Sequence, residues 1–183
     1  HQCNEDIALM RTLPGMVIIN PADDIEAEKA VLAAAKHDGP VYMRFGRLAV
    51  PRIFDDDYNF EIGKGVVLKD GADCTIIATG LLVCEALEAA KELESEGISV
   101  LVVNMATIKP LDTELVVACA KKTGVVVTAE EHSVIGGLGG AVCEALSENY
   151  PVPVIRVGMN DEFGKSGKGA LLLHEYGLDA KNL

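Results

Sequence analysis

Short runs of branched apolar residues alternate along this chain with segments whose apolar positions recur at helical spacing. The alternation is densest after Phe60. An extended segment carries Val66, Val67 and Leu68, and CTIIAT (74–79) follows as a buried strand. The pattern then predicts a helix from Leu81 to Glu96 stopped by Gly97, and a second buried strand, ISVLVVN (98–104). Pro110 and Asp112 open a helix that ends near Lys122. Val125 to Thr128 reads as another strand, followed by a glycine turn (136–140) and a helix with Ala141, Val142, Ala145 and Leu146 on one side. PVPVIRV (151–157) is a last strand, its prolines placing its start at a sheet margin. Gly167 to Tyr176 is a closing helix stopped by Gly177, and Asp179 heads a further short one.

The first 47 residues carry less. Asn4 can cap a short helix, EDIALMR, and Met16 to Ile19 is a strand. Asp23 and Glu26 are spaced as a capping box for a helix bearing Ile25, Ala30, Val31 and Ala34, with Gly39 as its stop. Val41 to Phe45 is the next strand. Two strands and one helix make half a layer. Leu48 to Asn59, with Pro51 and three consecutive aspartates at 55–57, reads as a linker. The organisation expected is a partial α/β segment (1–47), a linker (48–60) and a complete α/β domain (61–183). That domain should be three-layered, αβα, around a mostly parallel sheet.

Composition narrows the function. Hydrophobic residues make up 49% of the 183, with 4% aromatic, so Val, Leu, Ile and Ala must fill the core. A formal charge of −12, with no Lys/Arg cluster, argues against nucleic acid and anionic membrane surfaces. No apolar run reaches the roughly 18 residues that a membrane span needs. Five cysteines, odd in number and without CxxC spacing, signal neither zinc nor a disulfide framework. A reducing, cytoplasmic setting fits. The chain begins at His1 without an initiator Met and reads as a piece of something longer.

The strand–turn–helix at 125–146 invites a dinucleotide reading. Gly137 and Gly139 supply two glycines of G-x-G-x-x-G, but Val142 stands at the third position. Seven residues separate Thr128 from the glycines, and Glu130 and Glu131 would set negative charge beside a pyrophosphate. A packing turn is the better reading, its glycines letting a helix approach a strand or a partner subunit. Glu130, Glu131, His132, Gly137 and Gly139 are therefore candidates for a dimer interface. A triad of Ser133, His132 and Glu131 is rejected, because sequence neighbours do not converge in triad geometry.

Four stretches, in order, carry a resemblance. HQCNEDIALMRTLPGMVIINPADDIEA resembles the end of the transketolase pyrimidine-binding domain. Ile77 to Gly80 (IATG), the Glu-Glu-His segment, and Asp161 to Gly167 (DEFGKSG) with the following GKGALLLHEYGL resemble the transketolase C-terminal domain. The resemblance is greatest to the C-terminal half of split transketolases, with 1-deoxyxylulose-5-phosphate synthase as runner-up. It implies a five-stranded mixed sheet and an intact enzyme using thiamine diphosphate and Mg to move a two-carbon ketol unit between sugar phosphates. The cofactor serves as electron sink. The family's pyrimidine glutamate, aromatic pocket and metal–diphosphate motif match nothing in this chain. It should neither bind the cofactor nor turn over alone, and should need an N-terminal section or subunit and a second copy of itself. His1 matches the histidine that faces the thiazolium, where an imidazole can donate or accept a proton near neutrality. Arg47 and Arg44 match strand-end arginines that grip the sugar phosphate. The alternative to an enzyme section is a non-catalytic oligomerisation module.

Overall fold

The computed structural model describes residues 3–183. A five-stranded sheet runs in the order β3 (Val66–Lys69), β5 (Val100–Asn104), β4 (Cys74–Ala78), β7 (Val126–Ser133), β8 (Val154–Met159). Only β3 is antiparallel to its neighbour; the β5–β4, β4–β7 and β7–β8 pairs are parallel. The expected mostly parallel, mixed sheet is what forms. Alternate residues of its central strands supply two cores, as the two-residue period of a strand requires. Ile77, Leu101, Val103 and Val126 face helices α4 (Thr113–Thr123) and α5 (Leu138–Asn149). Ile76, Ala78, Val100 and Val102 face α3 (Leu82–Ser95), whose Leu82, Ala86 and Ala90 are fully covered. Side chains buried on both faces explain why β5 is apolar as far as Asn104 and β4 apolar but for Thr75.

Helix α4 begins where Asp112 accepts the N–H of Leu115 at 3.1 Å, and ends at Gly124, whose φ of 75° only glycine adopts without strain. In α2 (Asp24–Lys36) the predicted capping box forms its forward bond, while the Glu26 side chain reaches one residue past the cap. Asp23 accepts the Glu26 N–H at 2.8 Å, and the Glu26 carboxylate accepts the Ala22 N–H at 2.7 Å.

Three features depart from the sequence pattern. First, β6 (Thr107–Lys109), a strand too short and polar to show any period, pairs antiparallel with β1 (Val17–Ile19). β1 also pairs in parallel with β2 (Val41–Met43), so a three-stranded sheet, β2–β1–β6, joins the first 47 residues to the second unit. Second, β7 continues through Glu130, Glu131 and His132 rather than stopping at Thr128, because Glu130 and His132 find partners in the interior and Glu131 meets Arg44. Third, residues 48–60 are held rather than loose. Asp23 accepts the N–H groups of Ile53 and Phe54 at 2.7 and 2.8 Å, Tyr58 donates to Glu26 at 2.8 Å, and the Phe54 and Tyr58 rings stack. The chain ends in α6 (Gly169–Glu175) and a 3-10 turn at Ala180–Asn182. Among the described residues no helix is long and apolar enough to cross a membrane.

Candidate functional site

Two clusters of polar side chains lie against α1 (Asp6–Arg11), one inside the fold and one lining a cleft. The inner cluster is built on the glycine turn. Glu130, 1% exposed in the middle of β7, accepts the N–H of Leu138 at 2.6 Å and of Gly139 at 2.8 Å. A buried carboxylate thus occupies the first turn of α5, the place where a nucleotide phosphate would sit. Burial pushes the Glu130 carboxyl up to about 7, with the two N–H donors opposing. A Cβ on Gly137 would overlap Oε2 of Glu130, and one on Gly139 would stand 2.8 Å from Oγ1 of Thr128 and 2.9 Å from Cγ of Arg156. The glycines are there to let α5 close on its own sheet.

His132, fully buried, donates from Nδ1 to the Ser133 carbonyl at 2.7 Å and accepts the Ala8 N–H on Nε2 at 3.3 Å. Those partners require the neutral imidazole, and burial holds its pKa below the ordinary value. Arg11 completes the tie, donating to the Gly136 carbonyl at 2.8 Å and to Glu144 at 2.5 Å. Glu130, His132, Gly137 and Gly139 therefore turn their contacts inward, and they shape any partner surface only through the elements they fix.

The outer cluster lines a cleft of about 830 Å³ between the start of α1, the end of β2, and the loop at 163–169. Asp6 accepts the Tyr42 hydroxyl at 2.8 Å and the Arg44 Nε at 3.1 Å. Arg44 also donates to the Cys3 carbonyl at 3.3 Å and lies 3.7 Å from Glu131. Burial beside Asp6 pushes the Tyr42 hydroxyl up to about 12. Burial also raises Glu131, while the Arg44 guanidinium works the other way. Arg44 is held by two carboxylates as a clasp between α1, β2 and β7. Arg47 is different: it stands exposed on the same cleft and makes no ion pair among the described residues. His1 lies outside the described residues.

The fold thus brings Arg44, Arg47 and Glu131 to one cleft and sets Glu130, His132, Gly137 and Gly139 apart. Sequence reasoning missed Asp6 and Tyr42, whose meeting with Arg44 depends on the pairing of β1 and β2. Much of the DEFGKSG stretch is cleft wall. Neither cluster fits a magnesium–diphosphate group. Among the described residues no three His, Cys, Asp or Glu side chains are grouped so that they could hold a metal ion. The N–H groups of the glycine turn, best suited to a diphosphate, already serve Glu130.

Family models match two parts of the chain. The transketolase C-terminal domain matches residues 63–183 and the transketolase pyrimidine-binding domain residues 1–52. The 6-deoxy-6-sulfo-D-fructose transketolase subunit of Clostridium sp. strain MSTE9 is 47% identical over 183 residues, which are 100% of this chain and 57% of that protein. The 1-deoxy-D-xylulose-5-phosphate synthase of Syntrophotalea carbinolica is 42% identical over 181 residues, 97% of this chain and 28% of that protein. A solved structure described as a split-gene transketolase in an inactive β4 tetramer superposes with a TM-score of 0.96. It is 56% identical, over 98% of this chain and 59% of that one. The chain spans a little over half the length of the first of these relatives and under a third of the synthase. With two thirds of its residues inside the C-terminal-domain match, the chain belongs to the transketolase family.

Proposed function

We propose that this chain is the C-terminal section of a thiamine diphosphate-dependent transketolase that moves a two-carbon ketol unit between sugar phosphates, in the pentose phosphate pathway of the cytoplasm. In this reading residues 1–47 are the end of the pyrimidine-binding domain, 48–60 a connector and 61–183 the C-terminal domain. The reactive centre is composite. An N-terminal section supplies the diphosphate and Mg site, a second copy of this chain completes a dimer, and His1 faces the reacting carbons. This chain binds and orients the substrate: Arg47 takes the sugar's phosphate, and Arg44 holds the wall on which Arg47 stands.

The observation that carries the reading is the contrast within the cleft, where Arg44 is bound by Asp6 and Glu131 and Arg47 is left to face solvent. A guanidinium without a carboxylate, in a chain of charge −12, is suited to an incoming phosphate dianion. The solved relative described as an inactive β4 tetramer supports the expectation that this section alone does not turn over. The reading is tested by thiamine diphosphate titration of the chain alone and mixed with its N-terminal section. Tight binding by the chain alone would overturn it. The likeness to 1-deoxy-D-xylulose-5-phosphate synthases supports a second reading. Formation of 1-deoxy-D-xylulose 5-phosphate by the mixture, in place of ketol transfer, would select it.

A further inference from the structure

The cleft wall facing Arg47 is the loop 163–169, FGKSGKG, which brings two lysines to the same cavity. Its placement rests on contacts that leave no room for side chains. A Cβ on Gly164 would come within 2.8 Å of Asn4 Nδ2, and one on Gly169 within 2.5 Å of Leu48. The loop is thereby pressed onto the segment that leads into Asp6 and onto the residue next to Arg47. Tyr176 donates to the Phe163 carbonyl at 3.1 Å and ties the start of the loop.

The cations of this cavity then divide into two kinds. Arg44 is held by Asp6 and Glu131. Lys165 is held by Glu175 at 2.5 Å and lies 5.5 Å from the centre of the Tyr176 ring. Arg47 and Lys168 are exposed and make no ion pair among the described residues. Carboxylates outnumber cations by 28 to 16 in this chain, so two cations without carboxylate partners on one cavity are a local reversal of its charge.

We infer that Lys168 is a second grip for the ligand's terminal phosphate, closing on it from the loop wall while Arg47 holds it from the strand end. The inference deepens the proposed function and rests on its assignment of the cleft to a phosphorylated sugar. The division of labour suits the two side chains. Arg47 offers a planar fork to two oxygens, and Lys168 a mobile point charge to a third. The ligand class is a phosphomonoester of a small sugar, its chain running from the cavity toward the residues preceding α1.

The test uses the Lys168→Ala variant in the complex of this chain with its N-terminal section, comparing ribose 5-phosphate with ribose as acceptor. Loss of one charge-assisted contact should reduce the preference for the phosphorylated acceptor by about tenfold, with Lys168→Arg restoring most of it. Lys36→Ala, at the exposed C-terminal end of α2, removes the same charge elsewhere and should not reduce it. An unchanged preference in Lys168→Ala, or an equal loss in Lys36→Ala, overturns the inference while leaving the proposed function standing. If the complex transfers nothing, the proposed function fails and the grip is read directly, by titrating this chain with ribose 5-phosphate. Binding by the wild type that weakens about tenfold in Lys168→Ala supports the grip. Equal binding by the two, or none, overturns it.

Discussion

The Glu130 carboxylate and the Gly137 α-carbon are so close that a methyl group on Gly137 would overlap Oε2. That contact, together with the Leu138 and Gly139 N–H groups at 2.6 and 2.8 Å, sets how near α5 comes to the sheet. Gly137 has a φ of −80°, which any residue can adopt, so its restriction is steric rather than conformational. Gly137→Ala should therefore cost about 2–3 kcal/mol by displacing the carboxylate, read as a lower urea midpoint with unchanged slope. A midpoint equal to that of the wild type would show that the turn has room the structure denies it.

Glu130 also sets a pH dependence. Its folded pKa of about 7 lies above the unfolded value of 4.5, so the native state binds the proton more tightly. Its contribution is full below pH 4.5 and is lost as pH rises through 7. His132, 3.7 Å away, acts with the opposite sign: its folded pKa is lowered, so stability is lost as pH falls below its unfolded value. Subtracting the stability of Glu130→Gln from that of the wild type isolates the carboxyl. The difference should fall by up to about 3 kcal/mol between pH 4.5 and 7.5. A flat difference would mean that the two N–H donors fully offset burial.

Asp23 holds three N–H groups at once, those of Glu26, Ile53 and Phe54. Asp23→Ala removes a helix cap and two anchors of the 48–60 segment and should cost about 3 kcal/mol. Limited proteolysis should then cut first within 48–60. Protection equal to that of the wild type would mean that the Phe54–Tyr58 stack holds the segment unaided.

The two arginines should part company under substitution. Arg44→Ala leaves the buried Asp6 carboxylate without its cation and should destabilise the fold by about 3 kcal/mol. Arg47→Ala should stay within about 0.5 kcal/mol of wild-type stability while raising KM for a phosphorylated sugar by about tenfold or more in the complex. The reverse pattern would exchange their roles.

Much of the fold is legible in the chain because burial on both faces leaves β4 and β5 almost wholly apolar, and because the Asp23–Glu26 cap acts over three residues. What stays hidden is non-local. β6 is three residues whose partner, β1, lies some ninety positions away, so no local period marks it. Glu130 and His132 look like a polar turn, since nothing near them in sequence shows that α5 and α1 will bring N–H groups to receive them. Arg44 and Arg47 are alike as letters. Only the pairing of β1 with β2, which carries Arg44 to Asp6, tells the clasp from the exposed cation.

The most direct measurement of the composite-site claim is ketol transfer from xylulose 5-phosphate to ribose 5-phosphate, assayed with this chain alone, its N-terminal section alone, and the two mixed with thiamine diphosphate and Mg. Transfer is expected in the mixture and in neither part alone. Transfer by this chain alone, or by the N-terminal section at the rate of the mixture, would contradict it.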